Sequence, residues 1–326
     1  MSIATKGEKI DNTKRSRWKS LVAGICGNLS LFIFHPLENV KTRLQANDGL
    51  RNNHLPRYNG VIDTFLTMWR KEGLIAFYRG LYINILANAL SGGIFFGLYA
   101  DGKKRYNYDR ETSSIWLTSF ISLRAGLITM VCANPVWCIK TRVTLYWNEK
   151  DKKKSGFRLV RDTVSEMYTK EGIPSFFRGL SASVAMSFYG VLQMTAYEKL
   201  SKLAGIPEKP LERGKTPDIM TFFVGGTSRC IASATLYPIV LMRTRMQKQR
   251  FTIKEADELK AQRKINIDGT MNKEVFYTGV KETMKQTWKN EGIRGFYKGC
   301  LPNLLRIFPN SGMYFFLYEM TLRILD

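Results

Sequence analysis

Six stretches of this chain run for about 20 residues with little or no charge, and shorter, heavily charged segments separate them. Ser20 to Leu37, Gly80 to Ala100 and Gly179 to Tyr197 carry no charged residue. Thr112 to Ile139, Ile219 to Met242 and Gly299 to Tyr318 carry one arginine each, Arg124, Arg229 and Arg306. A helix of about 20 apolar residues crosses a bilayer core, so the pattern predicts six membrane-spanning helices. The runs are nonetheless rich in Gly, Ser, Asn and Tyr. A helix that meets lipid on one side and a water-filled cavity on the other has this composition, because polar groups inside a membrane are tolerated where they meet water or protein. Gly24, Gly27, Ser122, Gly126, Gly225 and Gly226 would let neighbouring helices approach closely. Between the spans, apolar residues at helical spacing such as Val61, Phe65, Met68 and Trp69 predict amphipathic helices on the membrane surface.

The pattern repeats three times. Pro36-Leu-Glu38-Asn-Val-Lys41-Thr-Arg43, Pro135-Val-Trp137-Cys-Ile-Lys140-Thr-Arg142 and Pro238-Ile-Val240-Leu-Met-Arg243-Thr-Arg245 share a proline, a base five residues on, then Thr-Arg. A second phrase follows in phase: Glu72-Gly73, Glu171-Gly172 and Glu291-Gly292 lead into Tyr78-Arg79-Gly80, Phe177-Arg178-Gly179 and Tyr297-Lys298-Gly299. Proline and glycine stand 37 residues apart in the first two copies and 54 in the third, so the third copy holds a 17-residue insertion, assigned to the charged stretch near 248–273. The organisation read from this is three repeats, 1–109, 110–210 and 211–326, each with two spans and one surface helix.

Charge narrows the class. The chain has 50 Lys and Arg against 27 Asp and Glu, a formal net charge of +23. With a mean hydropathy just below zero, a soluble nucleic-acid binder has to be weighed. The uncharged runs argue against it, and no nucleic-acid partner is expected. The bases crowd the segments between spans, with Lys140, Arg142, Lys150, Lys152, Lys153, Lys154, Arg158 and Arg161 in the second copy. These segments are expected on the compartment that stays put during insertion, with both termini on the other face. An enzyme finds no support. The only histidines, His35 and His54, have no catalytic or metal constellation, and the five cysteines lack metal spacing. Neither a cofactor nor a metal is expected. No cleavable leader is read at Met1 to Arg17.

A proline in mid-span removes a backbone donor and bends the helix. Three bent helices around a pseudo-threefold axis would converge at one end, where the acid and base groups beyond the prolines could close it. With the acidic-Gly and aromatic-basic-Gly phrases that follow, these signatures resemble those of the mitochondrial carrier family, over nearly the whole chain. The resemblance implies an all-α membrane protein of the inner mitochondrial membrane: six transmembrane helices in three pseudo-threefold repeats, each with a short surface helix on the matrix side. Such a protein is a transporter with alternating access.

The resemblance also implies site residues. The matrix gate would comprise Glu38, Lys41, Trp137, Lys140 and Arg243, braced by Gln45 and Gln247. Glu38 is its one acid, because Trp137 and Val240 occupy the other two acidic positions. The opposite, cytoplasmic gate is expected to draw on Lys103, Glu198 and Glu319, allowing one bridge from Lys103. Substrate contacts fall seven and eight residues beyond the glycine opening each even helix: Ala87, Asn88, Met186, Ser187 and Arg306. Arg306 is the strongest of these, since a guanidinium in mid-membrane costs at least ~2.5 kcal/mol and is retained where it meets an anion or a partner. Cardiolipin is expected at Tyr58, Gly60, Arg79, Gly80, Arg178, Gly179, Tyr277, Gly279, Lys298 and Gly299.

Asn134-Pro135-Val136-Trp137 resembles the subgroup of that family that carries nucleotide-like cofactors (flavin and folate, pyrimidine nucleotides, NAD and coenzyme A), and within it Ile83-Asn84, Gly190-Val-Leu-Gln193 and Pro302-Asn-Leu-Leu-Arg306 resemble the flavin and folate carriers. The substrate expected is therefore a large anionic nucleotide-like or pterin-like cofactor, with pyrimidine nucleotides or NAD as the alternative. A second class of function stays open, a carrier fold serving as structural subunit of a larger membrane complex. The thin gates and the long insertion motivate it.

Overall fold

The computed structural model describes residues 29–48, 56, 58–106, 115–146, 156–205, 218–249 and 279–310. Every regular element among them is helical. The first repeat comprises α1 (29–46), α2 (Val61–Glu72), the single turn α3 (Ile75–Tyr78) and α4 (Leu81–Arg105). The second comprises α5 (Ile115–Thr144), α6 (Gly156–Glu166), α7 (Leu180–Ala185) and α8 (Tyr189–Leu203). The third comprises α9 (Asp218–Thr235), α10 (Tyr237–Lys248), α11 (Val280–Phe296), kinked at Gly292, and α12 (300–310). Ile75–Arg105 and Leu117–Thr144 are long and apolar enough to cross a membrane by length and composition. The insertion expected near 248–273 lies outside the described residues except for Lys248 and Gln249, as do Tyr277 and Glu319.

The signature proline of the third repeat acts differently from the other two, for Pro36 sits inside the continuous α1. Pro135 sits inside the continuous α5. Pro238 follows a break at Leu236, whose backbone leaves helical geometry between α9 and α10. A proline at the second position of a new helix removes a donor that would have no partner anyway, so the third repeat avoids the lost hydrogen bond by interrupting the helix.

The second repeat has a shorter even helix. From Gly179 to Tyr197 there are 18 residues, against 19 from Gly80 to Tyr99. The structure locates the compensation: Met186–Phe188 form a 3₁₀ turn between α7 and α8. A 3₁₀ segment rises about 2.0 Å per residue instead of 1.5 and turns about 120° instead of 100. Three such residues recover about 1.5 Å, the rise of one α-helical residue, and about 60° of its 100° rotation. The missing residue is thus absorbed at the two positions expected to face substrate, Met186 and Ser187.

The surface helix α2 carries an apolar stripe broader than Val61, Phe65, Met68 and Trp69. Met68 is fully buried, in a cluster with Val40, Leu44, Tyr58, Ala76 and Phe77, while Phe65 and Trp69 are exposed together with Ile62 and Leu66. At about 100° per residue the stripe from Met68 to Leu66 spans about 160°, wide enough for one edge to pack on α1 and the other to face outward. The same level recurs around the molecule, because Trp69, Tyr168 and Trp288 stand three residues before the glutamates of the Glu-Gly pairs and all are exposed. Leu74, Ile173 and Ile293, just after the glycines, are exposed too. Exposed Trp and Tyr on one level are what a membrane–water interface favours.

Candidate functional site

The three signatures meet in a ring in which the second repeat reaches the first and the third reaches the second. Lys140 Nζ donates to Glu38 Oε1 at 2.5 Å, joining the second repeat to the first. Trp137 takes the place of an acid, and its ring receives a cation instead: the Arg243 guanidinium carbon lies 5.5 Å from the ring centroid and Lys140 Nζ 5.8 Å. Both are within cation–π range. The Trp137 indole N–H is anchored on Ser91 Oγ at 3.2 Å. The third edge, Val240 against Lys41, has no anionic or aromatic member. The ring therefore has one ionic edge, one cation–π edge and one open edge. Glu38 Oε2 also accepts from Asn84 Nδ2 at 3.3 Å and faces Arg306 Nη1 at 3.9 Å.

The two glutamines bond across repeats. Gln45 Nε2 donates to Tyr237 Oη at 3.0 Å, and Gln45 Oε1 accepts from Thr244 Oγ1 at 3.0 Å. Gln247 Oε1 accepts from Thr141 Oγ1 at 2.8 Å. Thr144, which stands at the corresponding position of the second repeat, is buried with its hydroxyl unpartnered.

A second set of charges lies outside the ring. The arginine ending each signature binds the glutamate of the same repeat's Glu-Gly pair: Arg43 with Glu72, Arg142 Nη1 with Glu171 Oε1 at 2.5 Å, and Arg245 Nη1 with Glu291 Oε1 at 2.6 Å. The base of each aromatic-basic-Gly phrase binds the same carboxylate from the other side, Arg79 at 2.6 Å, Arg178 at 2.9 Å, and Lys298. That base also donates across to the next repeat, Arg79 to Tyr146 O at 2.7 Å, Arg178 to Gln249 O at 2.5 Å and Lys298 to Asn47 O at 3.1 Å. These carbonyls lie just beyond the C-terminal ends of α5, α10 and α1, where backbone acceptors are otherwise unfilled. The residue before each proline points at the same turns. His35 Nε2 lies 3.4 Å from Arg79 O, Asn134 Nδ2 donates to Phe176 O at 2.9 Å, and Tyr237 Oη donates to Lys298 O at 2.8 Å. Burial pushes the Tyr58 phenol up, against the pull of the Arg43 guanidinium that donates to its oxygen at 2.9 Å.

Glycine after the base follows from this contact. Gly80 and Gly299 have φ of 83° and 80°, a left-handed conformation that other residues adopt at a cost. A Cβ at Gly80 would stand 2.8 Å from Thr144 Oγ1, and one at Gly299 would stand 2.9 Å from Tyr237 Oη and 3.0 Å from Lys41 O. The turn is where one repeat touches the next helix backbone to backbone.

The expected substrate positions are not equivalent in this state. Ala87 is fully buried, while Asn88 is exposed with its Nδ2 held by Asn84 O at 2.8 Å. The half-buried Met186 and Ser187 lie in the 3₁₀ turn, where the Ser187 hydroxyl approaches Met130 Sδ at 3.6 Å. Arg306 reaches down to the ring. At the opposite end Lys103 Nζ sits 4.7 Å over the Tyr99 ring, and Glu198 is exposed. Gly60 and Gly279 precede α2 and α11. Sequence reasoning missed Asn84 as a partner of Glu38 and the three carboxylate triads. The triads left a signal, since Arg43 to Glu72 and Arg142 to Glu171 are both 29 residues apart.

Three repeats meet at this ring, and two of the described helices are long and apolar enough to cross a membrane. The family model for mitochondrial carrier protein matches residues 13–110, 111–206 and 215–326. The chain belongs to the mitochondrial carrier family, and with it to the multi-pass proteins of the inner mitochondrial membrane. Among its relatives, folate transporter 1, chloroplastic, of Arabidopsis thaliana is 29% identical, covering 95% of this chain and 96% of the relative. Solute carrier family 25 member 33 of Homo sapiens is 27% identical over 99% of both chains. Mitochondrial nicotinamide adenine dinucleotide transporter 1 of Saccharomyces cerevisiae is 26% identical, covering 95% of this chain and 80% of the relative.

Proposed function

We propose that this carrier has six membrane spans and moves a large anionic cofactor of the flavin or folate class across the inner mitochondrial membrane by alternating access. The observation that carries the reading is Arg306, a guanidinium 3.9 Å from the only acid of the ring. A planar fork there can take a phosphate or a carboxylate. Asn88, Met186 and Ser187 add a polar and polarizable wall suited to a flat ring system, and Ala87 would join them only if its helix rotates. The similarity to the folate transporter over nearly the whole chain supports the same class. The similarity to the nicotinamide adenine dinucleotide transporter keeps dinucleotides as the alternative.

In this reading Glu38, Lys41, Trp137, Lys140 and Arg243, braced by Gln45 and Gln247, form the matrix gate, and Lys103, Glu198 and Glu319 contribute to the cytoplasmic one. Cardiolipin head groups dock at the turns that open α4, α7 and α12. Because Arg79, Arg178 and Lys298 are committed to Glu72, Glu171 and Glu291, backbone N–H groups at Gly80, Gly179 and Gly299 are the donors left for phosphate. Tyr58, Gly60, Tyr277 and Gly279 belong to the same lipid sites.

The test is a thermal-shift series on detergent-purified protein with cardiolipin, using FAD, FMN, folates, NAD, coenzyme A and nucleotides. A ligand that binds the folded state raises its apparent stability. Stabilisation by one cofactor class, lost in Arg306→Ala, is expected. No shift with any of them, in a folded protein that copurifies with a partner in fixed stoichiometry, would favour the structural-subunit reading. The ring with a single carboxylate is the observation behind that reading.

A further inference from the structure

Lys41 lies within electrostatic reach of Lys140, Arg243 and Arg306, and Glu38, in contact with Lys140 and Arg306, is the one carboxylate among the described residues that answers them. Lys140 takes the close contact with Glu38 at 2.5 Å, and Arg306 only the looser one at 3.9 Å. Arg243 has the Trp137 face, yet its Nε is buried without a hydrogen-bond partner, and so is Nε of Arg306. Lys41 makes no hydrogen bond or ion pair among the described residues. Glu38 and Trp137 stand two residues after their prolines and receive a base from the next repeat. Val240 occupies the same position in the third repeat and brings nothing for Lys41. Sequestered bases without counter-charges are costly, more so in a membrane interior.

We propose that the open edge of the ring is an anion site, in which a small oxyanion stands in for the carboxylate that Val240 does not supply. Lys41, Arg243 and Arg306 would hold it. Two guanidinium forks and an ammonium suit a tetrahedral phosphate better than a spherical halide, because forks donate in pairs. The occupant has two sources with one chemistry, free inorganic phosphate or the phosphate of a carried cofactor. Either would make closure of this end depend on an anion, which a ring with three carboxylates would not require. The site does not depend on which cofactor is carried, since inorganic phosphate alone reads it.

The experiment measures thermal unfolding of the full-length protein in cardiolipin-containing detergent at fixed ionic strength, with potassium gluconate replaced by potassium phosphate, and with FMN compared against riboflavin. Val240→Asp supplies the missing carboxylate, and Val240→Asn supplies the same shape without charge. The wild type and V240N are expected to gain about 3 °C in phosphate, and V240D to gain nothing while already melting higher in gluconate. A phosphate effect assigns the free anion as occupant. An FMN effect without a phosphate or riboflavin effect, again lost in V240D, assigns the cofactor's own phosphate. An anion effect of equal size in V240D, or no effect of phosphate and FMN on the wild type, overturns the proposal. Should V240D not fold, Arg243→Gln serves in its place. It is expected to abolish the phosphate effect, and its retention there overturns the proposal.

Discussion

Replacing Glu38 by glutamine removes the single negative charge beneath Lys41, Lys140, Arg243 and Arg306 while keeping the shape of the side chain. The ion pair with Lys140 is nearly buried, with 8% and 13% of the two side chains exposed. Breaking such a pair by neutralising one partner costs about 3–5 kcal/mol in a dry interior. Residual exposure and the retained hydrogen-bonding capacity of glutamine bring the expected loss to roughly 2–4 kcal/mol, or about 3–6 °C in melting temperature. The two bases on Glu38 should not contribute equally. Attraction falls as the inverse of distance, so Arg306 at 3.9 Å gains about two thirds of the gross Coulomb energy of Lys140 at 2.5 Å, without the short hydrogen bond. Double-mutant cycles separate them. Glu38→Gln with Lys140→Met should show a coupling of about 2 kcal/mol, and Glu38→Gln with Arg306→Met below about 1 kcal/mol. The assay is thermal unfolding of the purified single and double variants under one lipid condition. Equal couplings, or a Glu38→Gln variant that melts within 1 °C of the wild type, would refute the idea that the ring closes on this one pair.

Three further outcomes follow from the same geometry. Glu171→Gln should lower stability by about 3 kcal/mol, read as a drop in melting temperature, because Arg142 at 2% exposure keeps its charge and loses its carboxylate. Gly299→Ala should cost about 2 kcal/mol or more by the same assay, combining a left-handed backbone with a Cβ 2.9 Å from Tyr237 Oη, whereas Gly60→Ala meets no atom within 4 Å and should cost only its φ strain. Trp137→Leu removes the cation–π edge and should cost about 1 kcal/mol. Trp137→Asp should restore an ionic edge with Arg243 and leave the protein at least as stable as the wild type.

The repeat was legible because proline, base and glycine recur in phase, and a phase fixes which residues are equivalent before any contact is known. The ring positions followed from that. The partner of each charge did not. Arg79, Arg178 and Lys298 read as bases available to lipid, but buried carboxylates 7 residues upstream claim them, and only the fold of the Glu-Gly turn brings the two together. Counting from glycine gave Ala87 and Asn88 equal standing, although successive helical residues point about 100° apart and here Ala87 is buried while Asn88 is exposed. The short fourth helix was visible as a length of 18 against 19. Where it loses its residue was not, because nothing in the spacing distinguishes i→i+3 from i→i+4 bonding at Met186–Phe188.

Uptake into cardiolipin-containing liposomes tests the central claim most directly. Purified protein is reconstituted, and entry of labelled FAD, FMN and folate is followed with and without the same compound inside. Saturable uptake of one of these anionic cofactors is predicted, with a fall of at least about tenfold in Arg306→Ala, the equivalent of one charge-assisted hydrogen bond. A folded, correctly inserted protein that moves none of the tested anionic cofactors, or one whose uptake is indifferent to Arg306, would contradict the account.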